Sequence, residues 1–164
     1  MINLYNKIEN APNFTFWEFI KSDTSMRLNI DNFPQEDYIW DNIKNLAKYI
    51  QLIRNNFGPI KILSGYRCPL LNATIGGSKN SNHCFGLAVD IEPINYEIKL
   101  IDILNWTYNN INFKELILEY PPGGWIHISY QKDNNKKILK LKDRYNNYTV
   151  VDINYINKSY KNLC

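Results

Sequence analysis

Between Gln35 and Phe57 the apolar residues Ile39, Ile43, Leu46, Ala47, Ile50, Ile53 and Phe57 recur every three or four positions. That spacing buries one face of an α-helix, and Gly58-Pro59 supplies its stop, so a long helix is expected from Gln35 to Phe57. Upstream, Thr15-Phe16-Trp17-Glu18 reads as a capping box opening a short helix, with Thr15 as N-cap and Glu18 reaching back to it. Ile60 to Ser64 follows as a short strand that delivers Gly65-Tyr66-Arg67. Pro69 to Ala73 reads as a turn of helix and Gly76 to Asn80 as a loop.

The period then changes. Leu87 to Ile91 alternates as a half-buried strand should, with Leu87, Val89 and Ile91 on one face and Ala88, Asp90 and Glu92 on the other, and Pro93 ends it. Tyr96 to Asn109 reads as a second main helix with Ile98, Ile101, Leu104 and Tyr108 inward. Glu115 to Glu119 and Trp125 to Tyr130 form a hairpin joined through Pro121-Pro122-Gly123-Gly124. Trp125, His127 and Ser129 share one face of its second strand. Lys137 to Leu141 and Thr149 to Ile153 are expected as further strands. The pattern predicts an α+β fold, a mostly antiparallel sheet flanked by helices.

A chain of 164 residues, 45% apolar and 14% aromatic, suffices for one core. A single domain over 1–164 is expected, with its motif-bearing core at about 14–130 and a C-terminal extension at about 131–164. The net charge of +3 is mild, and basic residues are dispersed except around Lys132, Lys136, Lys137, Lys140 and Lys142. That cluster suits an anionic cell-wall polymer or nucleic acid; a solvated face or edge-strand protection is the preferred reading, and no nucleic-acid partner is expected. No run approaches the roughly 18 apolar residues of a membrane span. Met1 to Lys7 lacks the features of a secretory signal, so cytoplasmic synthesis is expected. Cys68, Cys84 and Cys164 make an odd count, which favours reduced thiols over a disulfide framework.

The chain's two histidines, His83 and His127, each lie in a Gly-flanked segment. Two imidazoles and one carboxylate are the three protein ligands of a catalytic zinc site, which leaves its fourth position to water. His83, Asp90 and His127 supply that set if the strands carrying Asp90 and His127 are neighbours. A lone histidine in a strand is more often a hydrogen-bonded structural residue. Chemistry is favoured here by the combination of two such segments, a spaced acidic partner and the upstream Ser64-Gly65-Tyr66-Arg67, whose arginine suits an anion. Cys84 adjoins His83, points the other way in an extended segment, and reads as a small buried thiol rather than a ligand.

The run Ser64-Gly65-Tyr66-Arg67-Cys68-Pro69-Leu70-Leu71-Asn72, then Gly76-Gly77-Ser78, Ser81, His83, Gly86, Ala88 and Asp90, and finally Trp125-Ile126-His127-Ile128-Ser129-Tyr130, resembles the M15 group of zinc peptidases. That group contains D-Ala-D-Ala carboxypeptidases, D-Ala-D-Ala dipeptidases and phage peptidoglycan endopeptidases. The likeness is greatest to compact phage-type members, in which an opening like Phe14-Thr15-Phe16-Trp17-Glu18-Phe19 precedes a long helix and the SGYR segment. It covers most of residues 14 to 130. The resemblance implies an M15 architecture of the hedgehog and D-Ala-D-Ala peptidase kind, with a zinc site on the sheet held by His83, Asp90 and His127. It implies Arg67 as the binder of a substrate carboxylate, and Ser81 as a residue that orients substrate or its own loop.

The general base departs from the group's better-known pattern. Many members carry Glu or Asp three residues before the last histidine, or another histidine slightly earlier; here that place is Gly124 and no third histidine exists. Glu119 is the first candidate: if it pairs with His127 across the hairpin, the side chains share a face at about 5 Å between Cβ atoms. A one-residue slip would send it to the other face. Glu92, on the face of Asp90, is the second candidate. A Ser-His-Asp nucleophile would take a histidine from the metal and is not expected. The expected function is a zinc-dependent metallopeptidase hydrolysing peptidoglycan stem peptides, as a D-Ala-D-Ala carboxypeptidase or a bacteriophage endolysin-type endopeptidase. Release by lysis or carriage on a virion would bring it to the wall, and abundant Asn, Ile, Lys and Tyr are compatible with an AT-rich phage genome. The alternative is a zinc-binding virion or wall-binding protein with little or no catalysis.

Overall fold

The computed structural model describes residues 2–130 and 138–161. Its chain divides into two compact units, Met1–Leu52 with Ile62–Val89 and Ile53–Lys61 with Asp90–Cys164.

In the first unit, β1 (Lys7–Ile8) and β2 (Ala11–Thr15) pair antiparallel. Thr15 then opens α1 (Phe16–Ile20), and the Glu18 carboxylate accepts from both the N–H (2.8 Å) and the hydroxyl (3.0 Å) of Thr15. The expected capping box is thus formed. Ser22 caps α2 (Asp23–Arg27) by accepting from the Ser25 N–H at 3.2 Å. The long helix is α3 (Asp37–Phe57), buried along Ile39, Ile43, Leu46, Ala47, Ile50 and Ile53. Truncating any of the fully buried isoleucines of this stripe to Ala would cost about 2–5 kcal/mol. Gln51 and Asn13 exchange two hydrogen bonds, of 3.1 and 2.8 Å, which fasten β2 to α3.

The main sheet has six strands in the order β3-β4-β6-β5-β7-β8. They are β3 (Ile60–Ser64), β4 (Ala88–Pro93), β5 (Glu115–Glu119), β6 (Trp125–Ser129), β7 (Ile138–Lys142) and β8 (Tyr148–Val150). Between β3 and β4 the chain forms α4 (Pro69–Thr74) and a one-turn 3₁₀ helix, Asn82–Phe85. β4 differs from the half-buried strand expected over Leu87–Ile91. It starts at Ala88, and five of its six residues are buried, so both of its faces are covered.

In the second unit, β5 and β6 form the expected antiparallel hairpin. β7, however, runs parallel to β5, and β8 pairs antiparallel with β7. The sheet is therefore mixed, because the chain leaving β6 returns on the far side of β5 instead of beside β6. The fold is α+β, with α5 (Leu100–Asn110) packed against β5 and β6, and α6 (Ile153–Lys161) against α5. Helix α5 begins four residues later than expected. The Asn95 side chain accepts from the Glu97 N–H at 3.0 Å and its carbonyl from the Ile98 N–H at 3.1 Å, so residues 95–98 form a turn first. The strand expected over Thr149–Ile153 is also corrected: β8 stops at Val150 and Ile153 already starts α6, with Ile156 and Tyr160 as its buried stripe. Lys137, expected at the head of β7, lies outside the described residues.

Among the described residues no helix is long and apolar enough to cross a membrane.

Candidate metal centre

Strand alternation divides β5 and β6 into two chemically distinct faces. Leu116, Leu118, Ile126 and Ile128 occupy one, each at most 1% exposed. Glu115, Ile117, Glu119, Trp125, His127 and Ser129 occupy the other. On that second face His127 is buried, and its Nδ1 lies 2.8 Å from Oδ1 of Asp90 on β4.

His83 arrives by a different device. Ser81, just before the 3₁₀ turn, accepts from the His83 N–H at 3.3 Å and caps it. The ring is buried, and its Nδ1 stands 2.7 Å from the carbonyl oxygen of Gly65. Because a carbonyl can only accept, Nδ1 carries the proton and Nε2 keeps its lone pair for another partner. The expectation of an extended segment here is corrected, since residues 82–85 are helical. Cys84 is half-buried, and burial pushes its thiol up, opposed by the Arg67 guanidinium. It does not join the cluster.

The cluster itself consists of His83, Asp90 and His127. One ligand atom from each lies within 4.8 Å of the others, and all three residues are buried. Such a set of two imidazole nitrogens and one carboxylate oxygen could hold a metal ion.

Gly65 is where the SGYR segment presses closest on its surroundings: a Cβ there would fall 2.3 Å from the Phe19 carbonyl oxygen. The segment is anchored by Asn32, a buried residue that periodicity gives no reason to single out. Its amide donates to the carbonyls of Ile20 (2.7 Å) and Tyr66 (3.1 Å) and accepts from the Cys68 N–H (2.7 Å). The Arg67 backbone N–H donates to the His83 carbonyl at 3.2 Å, and its Nε donates to the Ser64 hydroxyl at 2.7 Å. Tyr66 is buried, and that burial, with the thiols of Cys68 and Cys84 adding to it, pushes its phenol up to about 12. Next to these residues a cleft of about 450 Å³ is lined by Tyr38, Ile39, Tyr66, Asn72, Cys84 and Phe85 among others.

The expected pairing of Glu119 with His127 is not the one observed. Ile117 faces His127 and Glu119 faces Trp125, a shift of two residues that keeps Glu119 on the His127 face as a diagonal neighbour. Glu119 is 6% exposed. Its Oε2 accepts from the Lys142 ammonium at 2.8 Å, and the carboxylate is not part of the three-residue cluster. The hairpin closes over this point so tightly that a Cβ on Gly124 would lie 1.8 Å from the Glu119 carbonyl oxygen. Glu92 is half-buried and engages Lys61 at 2.9 Å.

The solvated basic cluster expected around Lys142 is corrected for the residues that can be placed. Lys132, Lys136 and Lys137 lie outside the described residues, and the other two lysines are paired inward. Lys140 bonds Glu115, and Lys142 bonds Glu119 while lying 4.7 and 4.8 Å from the ring centres of Tyr120 and Tyr148. Burial works against the Lys142 charge. Its hydrogen bonds to Glu119, Tyr120 and Tyr148 outweigh that cost and hold the ammonium above the ordinary lysine range. Strand alternation across Ile138–Lys142 carries the signal in hindsight, since it places both lysines on one face.

Comparison with curated proteins finds no match to the chain. The family model described as Peptidase M15 matches residues 12–129, well over half of the sequence, and its span takes in the SGYR segment, the capped His83 turn, β4 and the whole β5–β6 hairpin. Three buried metal-competent donors inside that span are what a family of metal-dependent peptidases requires, and the chain belongs to the Peptidase M15 family.

Proposed function

We propose that this chain is a zinc-dependent peptidase acting on the stem peptides of peptidoglycan, with His83, Asp90 and His127 as the metal ligands. The observation that carries the reading is the convergence of these three buried donors in a member of the M15 family. The donor set suits zinc, and the Gly65 carbonyl directs His83 Nε2 to the metal by holding the proton on Nδ1. When bound, zinc supplies Lewis acidity that polarises the scissile carbonyl and makes water a better nucleophile.

The remaining work falls to the chain's own groups. Glu119 is assigned the proton of the attacking water, received at Oε1 because Lys142 engages Oε2. Arg67, oriented through Nε by Ser64, is assigned to a substrate carboxylate, for which a planar guanidinium offers paired donors. Ser81 shapes the loop that presents His83. A carboxypeptidase or a phage endolysin-type endopeptidase fits this assignment, made in the cytoplasm and brought to the wall by lysis or on a virion.

A second reading, a metal-bearing wall-binding or virion protein without hydrolysis, is favoured by Gly124 in place of a carboxylate and by the hold of Lys142 on Glu119. Digestion of purified peptidoglycan by zinc-loaded protein, followed by mass analysis, tests both. Loss of terminal D-Ala is expected for a carboxypeptidase and internal stem cuts for an endopeptidase. Intact peptidoglycan with zinc bound would overturn the peptidase reading in favour of the second.

A further inference from the structure

The family match ends at residue 129, yet the ammonium that pairs with Glu119 comes from beyond it. β7 runs parallel to β5 with Lys142 directly opposite Glu119, so the two side chains leave the same face in register. The pair is nearly dry: the Lys142 and Glu119 side chains are 13% and 8% exposed, and their Nζ···Oε2 distance is 2.8 Å. The lysine cannot swing freely, because the Tyr120 and Tyr148 rings flank its ammonium at 4.7 and 4.8 Å. Tyr120 is itself tied back, its N–H donating to the Lys142 carbonyl at 2.9 Å and its hydroxyl to Asn146. Asp143 fixes the β7–β8 turn by accepting from the N–H groups of Tyr145 (2.8 Å) and Asn147 (2.9 Å).

We infer that the β7–β8 hairpin completes the active site, with Lys142 as a positioning residue that holds the Glu119 carboxylate in place and fixes which of its oxygens faces the reaction. The inference rests on Glu119 being the general base. A buried carboxylate without this partner would turn towards another, since burying a charge is costly unless it is paired. The tyrosine flanks select an ammonium or guanidinium at this place, because a cation gains from an aromatic face.

The test uses the full-length, zinc-loaded chain with a stem-peptide substrate and the variants Lys142→Met, Lys142→Arg, Glu119→Gln and the double variant Glu119→Gln with Lys142→Met. Lys142→Met is expected to lower kcat roughly ten- to a hundredfold, with KM and zinc content close to the parent. Lys142→Arg should recover most of that loss. The double variant should be no slower than Glu119→Gln alone, because Lys142 acts only through the carboxylate. A second readout is independent of turnover: ¹⁵N NMR of the Lys142 ammonium should find its titration moved down in Glu119→Gln. Equal losses from Lys142→Met in the parent and in the Glu119→Gln variant would overturn the inference and leave the base assignment standing. Full turnover by Glu119→Gln would overturn both, and an unshifted Lys142 titration would overturn the pairing.

Discussion

Nδ1 of His83 and the carbonyl oxygen of Gly65 are 2.7 Å apart, and the same glycine has no room for a side chain because the Phe19 carbonyl oxygen would stand 2.3 Å from its Cβ. Backbone packing in the SGYR segment and imidazole orientation are therefore one problem. Gly65→Ala must push the segment off Phe19, whose carbonyl also accepts from the Tyr66 N–H at 2.6 Å. Zinc affinity is expected to fall roughly ten- to a hundredfold, the usual effect of losing a ligand's orienting partner. Competition with a chromophoric chelator measures it, and parent-like affinity would show that the carbonyl does not orient the ring.

The two candidate bases separate by substitution. Glu119→Gln should retain zinc and lose about 100-fold in turnover. Glu92→Gln should stay near the parent, since Glu92 is half-buried and engaged with Lys61 rather than with the cluster. The reverse order in kcat would move the role to Glu92.

Arg67→Lys keeps the charge and loses the planar fork. Turnover of a peptide with a free C-terminal carboxylate should fall roughly tenfold or more, the scale of one lost charge-assisted hydrogen bond, while zinc content is unchanged. A C-terminally amidated peptide should be poor for the parent and little worse for the variant. Equal cleavage of acid and amide by the parent would remove Arg67 from carboxylate binding.

Tyr66 makes a prediction at high pH. Its folded-state pKa of about 12 lies above the ordinary tyrosine value of 10.0, so the folded protein holds the proton more tightly than the unfolded chain. The stability this contributes is complete below pH 10 and is lost as pH rises towards 12. Spectrophotometric titration at alkaline pH should therefore end in a late tyrosinate step that is absent from Tyr66→Phe. An unaltered late step in that variant would assign it to another phenol.

Long periodic stretches are readable because their burial repeats over many residues. The stripe of α3, the limits of β3 and the hairpin of β5 with β6 all follow from residue order alone. The three cluster residues are readable because histidine is scarce here and Asp90 sits at an alternating position. What periodicity cannot supply is anything decided by a partner distant in sequence. Burial of both faces of β4 depends on what packs above and below the sheet, not on its own residue order. The parallel approach of β7 gives Glu119 a lysine 23 residues away. Asn32 bridges segments 12 and 34 residues from it. The hairpin register depends on loop geometry, and a glycine-rich turn that admits several conformations leaves two pairings compatible with the same alternation.

The close approach of Gly124 to the Glu119 carbonyl makes positions 124 and 119 alternatives to one another. A carboxylate cannot be transplanted three residues ahead of His127 while this turn persists, because even the first carbon of its side chain would strike the strand that carries Glu119. Any lineage or design that moves the acid to position 124 must first open the turn. Opening it would shift the backbone of Glu119, whose carbonyl oxygen stands 1.8 Å from where that Cβ would lie.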